Sequence, residues 1–258
     1  MKEISSKDNK LIKYISKLQT SARFRREEKR FVAEGLRVCV EAVLSGADIV
    51  SVLVTENALN KHSEALRPLL VACSDVYLTS DKAMSAACDT QTPQGVVCLI
   101  KTLDNNIDLD TINNKYILAE NVQDPSNLGT ILRTADALGL SGVIMTKDCC
   151  DIYSPKVCRG AMGALYRVPF MIIDNAPDFI RDFNKTGSSF AAVVRDAQPV
   201  TSCSFEGKCL VAVGNEGNGL TDATANACSS RITIPMNSNA ESLNAAIAAG
   251  ILMWEMIK

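Results

Sequence analysis

The chain of 258 residues has one histidine, His62, and one tryptophan, and aromatic residues make up only 5% of it. With so little imidazole, and none beside any motif, a Ser-His-Asp triad has no base and a His-rich zinc site has no ligands. His62 stands in a polar stretch and is expected on the surface. Cysteine is plentiful at ten residues, but no two are spaced CxxC. They are scattered through strand and helix patterns, so they read as reduced thiols rather than a disulfide framework. Long apolar runs are also missing. The longest, residues 245–254, is too short to cross a bilayer. The opening MKEISSKDNK has no apolar core of a secretion signal. These absences point to a cytoplasmic protein with no membrane association.

Hydrophobic residues make up 47% of the chain, as in ordinary globular proteins, and the length suits two modest domains. The net charge of −2 is unevenly spread. Residues 1–30 carry ten Lys or Arg against four acids, which leaves the remainder at −8. The basic end, with Arg23, Arg25 and Arg26, is a candidate phosphate-binding footprint, or simply a solvated amphipathic helix. The spacing of Ile4, Leu11, Ile12, Ile15 and Leu18 predicts one helix across this stretch. Strands follow near 31, 50, 76 and 97, with a helix ended by Gly46, giving a small α/β domain. A polar Asn/Asp cluster supplies a linker over 104–114. The α/β pattern then restarts. Strands are expected at 116–120, 142–146, 167–172, 190–194, 208–213 and 231–234, with helices at 128–138, 156–163, 176–183 and from 242 onward.

Three segments carry chemistry: NVQDPSNLGTILR (121–133), VGNEGNGL (213–220) and ITIPMNSNAESLNAAIAAG (232–250). A dinucleotide-binding sheet normally places its glycine turn after the first strand, whereas this turn comes near the end. Gly214, Gly217 and Gly219 let backbone approach closely. Glu216 within the turn would repel a phosphate, which argues against a nucleotide cradle. Asn127 and Ser242 stand where a helix N-cap is expected, and Asn244 one step inside the last helix.

In this order and spacing the segments resemble the motifs of the SpoU, or TrmH-like, RNA 2′-O-ribose methyltransferases, over about the last 145 residues. FVAEGLR (31–37) and DTQTPQG (89–95) resemble the N-terminal substrate-binding domain of many SpoU-type enzymes, which is related to a ribosomal-protein fold that binds RNA turns. The resemblance implies an α/β protein: a small N-terminal RNA-binding domain over 1–103 and a parallel-sheet catalytic domain over 115–258 with a deep trefoil knot. It implies transfer of a methyl group from S-adenosylmethionine, leaving S-adenosylhomocysteine, with no metal. Arg133, Asn127, Glu216, Ser242 and Asn244 then form the catalytic set, and Gly214, Gly219, Ile234, Pro235, Met236 and Leu243 bind the donor.

The family arginine matching Arg133 has been assigned the role of base. A guanidinium stays protonated in proteins, so a bidentate grip on a phosphate and on the developing alkoxide is the alternative. YSPKVCRGAMGAL (153–165) adds Lys156 and Arg159 as candidate RNA contacts, or is a helix packing its small residues against a neighbour. A homodimer through the catalytic domain is implied, with residues 245–257 as its candidate face; the alternative is that this helix is plain core, and its two sides can serve both. The expected substrate is large-subunit ribosomal RNA. The same chemistry on transfer RNA, or a catalytically silent ribosome-assembly factor, are the alternatives.

Overall fold

A computed structural model describes residues 1–104, 106–110, 114–237 and 239–258. Asn105, Thr111, Ile112 and Asn113 of the expected linker lie outside the described residues, as does Ser238. Contacts divide the chain into two units: Met1–Asp104 with Asp151–Tyr166, and Asn105–Cys150 with Arg167–Lys258.

The first unit contains β1 (Lys2–Ile4), α1 (Lys10–Thr20), α2 (Ala22–Glu28), β2 (Arg30–Glu34), α3 (Leu36–Leu44), β3 (Ile49–Val54), α4 (Glu56–Ala72), β4 (Val76–Thr79), α5 (Asp81–Ala87) and β5 (Val96–Lys101). The strands form one mixed sheet in the order β1-β4-β3-β5-β2. The basic N-terminal stretch is therefore not a single helix. Ile4 lies on β1 opposite Thr79, where strand pairing supplies hydrogen bonds that a frayed helix end lacks. Ser21, in extended conformation, ends α1, and its hydroxyl accepts from the Phe24 N–H at 3.2 Å to cap α2. The apolar face of α1, with Ile12, Ile15 and Leu18, buries against Leu53, Val97 and Leu99 of the sheet. His62, expected on the surface, is half-buried at a kink inside α4.

The second unit opens with β6 (Lys115–Ala119), α6 (Pro125–Leu138) and β7 (Gly142–Thr146). The chain then contributes α7 (Pro155–Ala161), within Asp151–Tyr166, to the first unit. It continues with β8 (Phe170–Ile173), α8 (Ala176–Phe183), β9 (Ser188–Ala192), β10 (Gln198–Pro199), β11 (Cys209–Val213), α9 (Asp222–Ala227), β12 (Ser230–Thr233) and α10 (Ala245–Ile257). All seven strands pair in parallel, in the order β10-β12-β9-β11-β6-β7-β8. The central strands are apolar on both faces, as a parallel sheet covered by helices requires, and β6, β7 and β11 are almost wholly buried. Ile107, from the expected linker, packs into this unit's core beside Tyr116 and Ile144.

Two residues assigned to RNA are otherwise engaged. Arg25 is only 5% exposed. Its guanidinium pairs with Asp151 at 2.7 Å and donates to the Leu18 and Gln19 carbonyls. Arg159 pairs with Asp89 at 2.7 Å and faces Glu34 at 3.8 Å. A buried guanidinium cannot reach a phosphate without abandoning its partner, so Arg25 holds α1 to the 151–166 segment instead. Breaking a buried pair from one side strands the other charge. Arg25→Ala is therefore expected to lower stability by about 3 kcal/mol in urea unfolding, and adding Asp151→Ala should recover part of that loss.

Candidate active site

Because the sheet is all parallel, the carboxyl ends of β6, β9, β11 and β12 open on one edge, where ligands of such folds bind. A cavity of about 410 Å³ lies at that edge, lined among others by Val194, Gly214, Gly219, Ile234, Ser242 and Leu243. Its wall between β11 and α9 is the 214–220 turn. Asn215 and Gly219 exchange backbone hydrogen bonds at 3.0 and 2.9 Å, and the Asn215 side chain accepts from the Gly217 and Asn218 N–H groups. The turn closes so tightly that a Cβ on Gly214 would sit 2.0 Å from the Gly219 carbonyl carbon. Gly219 has φ +69°, a left-handed conformation that suits glycine.

The turn is tied to the segment between β6 and α6. Asn215 Nδ2 donates to the Asn121 carbonyl at 2.8 Å. The Glu216 carboxylate accepts from the Gln123 N–H at 3.2 Å, the Asp124 N–H at 3.1 Å and Asn127 Nδ2 at 2.8 Å. Asn127 Oδ1 in turn accepts from Asn244 Nδ2 at 2.9 Å. One chain of hydrogen bonds, Asn244 to Asn127 to Glu216, thus joins three segments far apart in sequence. Burial pushes the Glu216 carboxyl upward, but bonds from Asn127 and from the Glu216, Asp124 and Gln123 N–H groups outweigh it and hold the group below the usual glutamate range. Among the described residues, no group of three or more His, Cys, Asp or Glu is set to hold a metal ion.

The sequence model of the SpoU rRNA methylase family matches residues 114–254, more than half of the chain, and that of the MRM3-like substrate binding domain matches residues 9–98. The chain belongs to the SpoU family. An uncharacterized tRNA/rRNA methyltransferase of Synechocystis is 30% identical over 98% of this chain and 92% of its own. The Bacillus subtilis 23S rRNA (guanosine(2553)-2′-O)-methyltransferase RlmP is 29% identical over 99% of each. The crystal structure of an AdoMet-bound rRNA methyltransferase from Sinorhizobium meliloti superposes with a TM-score of 0.86 at 28% identity, covering 99% of this chain and 97% of that one.

In this SpoU-family chain, five residues expected to bind the donor line the cavity: Gly214, Gly219, Ile234, Met236 and Leu243. Pro235 is exposed and does not line it. Glu216 and Ser242 are at its mouth, whereas Asn127 and Asn244 stand behind the wall. Two capping assignments change. Asp124, not Asn127, caps α6, accepting from the Ser126 N–H at 2.8 Å with Pro125 at the first helical position. Asn244, not Ser242, caps α10, accepting from the Ala246 and Ile247 N–H groups at 3.0 and 3.2 Å. Arg133 sits on the exposed stripe of α6 with Ser126 and Thr130, outside the cavity lining. Sequence reasoning passed over Glu120, Asn121 and Gln123, whose roles come from partners ninety or more residues away.

The Glu216 bonds give a pH signature. A carboxyl depressed in the fold stabilises it above the ordinary glutamate value and loses that contribution as pH falls through the lower, folded value. The melting-temperature difference between the natural chain and Glu216→Gln is expected to stay level from pH 8 to pH 5 and to close in stronger acid. Closure already at pH 6 would contradict the assignment.

Proposed function

We propose that this protein transfers the methyl group of S-adenosylmethionine to a ribose 2′-hydroxyl in large-subunit ribosomal RNA, in the cytoplasm. The observation that carries this reading is the cavity at the strand ends, walled by the glycine turn whose glutamate joins all three motif segments. Its residues suit that donor. Ile232, Ile234, Leu243 and Leu252 offer an apolar wall for a purine, and the bare backbone at 214–219 offers peptide groups to its polar edges. The donor, when bound, supplies a methyl group on a sulfonium centre. The ribosomal assignment is supported by the ribosomal RNA named for the Bacillus and Sinorhizobium relatives and by the match to a substrate-binding domain.

Within this reading Asn127, Glu216 and Asn244 position, since their side chains are already committed to one another. Ser242, exposed at the cavity mouth, faces the ribose. Arg133 grips the neighbouring phosphate and stabilises the developing alkoxide, because charge arising in the transition state is best met by a preorganised cation. Arg23, Arg26 and Lys156, all exposed, supply RNA contacts on the first unit.

The protein acts as a homodimer in this proposal. Ile247, Ile251, Trp254 and Ile257 form an apolar stripe on α10, exposed at 57, 37, 55 and 40%. A contiguous exposed apolar stripe of this kind marks a surface suited to contact with another protein chain. The same proposal has the partner chain receive Arg133 at its own cavity; it is supported by the packing of α10 on α6, the helix that carries Arg133, with Gly250 opposite the Thr134 methyl. The trefoil knot belongs to the same proposal. It is supported by the match to the SpoU family over residues 114–254.

The test is tritium transfer from labelled donor to ribosomal and transfer RNA from cells lacking the gene. Label on 23S RNA ribose is expected. Label confined to transfer RNA would move the substrate, and RNA binding without label would favour a silent assembly factor. Arg133→Lys is expected to lower turnover about a hundredfold, as lysine lacks the planar fork. Trp254→Glu is expected to give a monomer in sedimentation, with turnover lost alongside. A fully active monomer would remove the shared-site arrangement.

A further inference from the structure

Glu120 is the residue that follows β6, and it is 7% exposed. Its carboxylate reaches across the sheet edge to the far end of the glycine turn. One oxygen accepts from the Thr221 N–H at 2.8 Å, and the other accepts from the Thr221 hydroxyl at 2.9 Å and from the Thr224 hydroxyl. Thr221 caps α9, its hydroxyl accepting from the Thr224 N–H at 3.2 Å. Glu120 therefore grips a cap that is itself gripping a helix. Its own N–H donates to the Val213 carbonyl at 2.9 Å, so one residue touches the chain on both sides of the turn.

We infer that Glu120 is a positioning residue for the donor-binding turn: it clamps Thr221 and Thr224 and thereby fixes Gly219 and Leu220, which line the cavity. The start of the turn is anchored by strand pairing of β11, and its middle by Asn215 on the Asn121 carbonyl and Glu216 on the start of α6. Beyond Val213 the chain leaves the sheet, and before β12 the far end of the turn is held by the Asn215–Gly219 backbone pair and by the contacts of Glu120 with Thr221 and Thr224. Glu120 is the side chain that returns that end to β6. A buried carboxylate that accepts from one N–H and two O–H donors is held in place, because releasing a donor leaves a buried polar group short of a partner. The inference rests on the proposed donor site for its consequence, but the clamp itself does not.

Two readouts separate these. In the ligand-free protein, amide hydrogen exchange across residues 214–221 reports the clamp. Calorimetric titration with S-adenosylhomocysteine reports the donor site. Glu120→Ala is expected to speed exchange in that segment and to weaken S-adenosylhomocysteine binding about tenfold, the size of one lost hydrogen bond to a charged group. Glu120→Gln should restore binding to within about threefold, since its carbonyl accepts from the Thr221 N–H while its amide donates to both hydroxyl oxygens. That rescue distinguishes positioning from a need for charge. If Glu120→Ala does not fold, Thr224→Val removes one donor at nearly constant volume and is judged by the same readouts. Exchange and affinity both unchanged in a folded variant would overturn the inference, as would a lowered melting temperature with affinity intact. No binding by the natural chain, with exchange still responding to Glu120→Ala, would overturn the donor reading and leave the clamp standing.

Discussion

The Glu216 carboxylate, seated on the N–H groups that lead into α6, is the interaction on which the rest of the site depends. Helix starts present N–H groups that lack intrahelical partners, and the aligned peptide dipoles favour negative charge there. In most helices a local side chain meets that need. Here Asp124 does so for Ser126, while Glu216 comes from a turn some ninety residues later to satisfy the two N–H groups before it. The same attraction keeps the carboxylate ionised, brings Asn127 into its bond, and through Asn127 fixes Asn244 at the start of α10.

A parallel sheet makes that meeting possible. Its strands all end on one edge, so loops from residues near 120, 193, 214 and 234 converge there. Polar ties cluster on the β6 side, at Glu120, Asn121 and Gln123, and the apolar wall on the β12 side, at Ile232 and Ile234. The cavity is therefore rigid along one wall and greasy along the other, an arrangement suited to a ligand with a flat apolar body and polar ends.

Much of this was legible in the chain. The apolar, β-branched runs at 142–146 and 209–213, bounded by turn residues, read as buried strands, and they are strands within a residue of where the pattern puts them. The glycines at 214 and 219 announced a backbone under steric constraint, which the closed turn explains. Other residues were opaque. Arg25 sits among basic neighbours and reads as one more surface cation, yet its partner Asp151 is 126 residues away, and burial depends on that pairing. Ser242 and Asn244 are both good cap residues. The choice falls to Asn244 because its side chain can cap α10 with its oxygen and hold Asn127 with its nitrogen.

Pattern and residue type by themselves determined the α/β class, the approximate strands and helices, the basic N-terminal stretch and the three segments that meet at one site. These rest on local physics: periodic burial, turn chemistry and the freedom of glycine act over a few residues and leave marks in order along the chain. Tertiary structure alone decided which charges face solvent and which are buried, which of two neighbouring polar residues caps a helix, and that Glu120 and Glu216 hold one loop from opposite ends. Those outcomes are set by partners ninety or more residues distant, and a hydrogen bond across such a separation has no signature in either residue's neighbours.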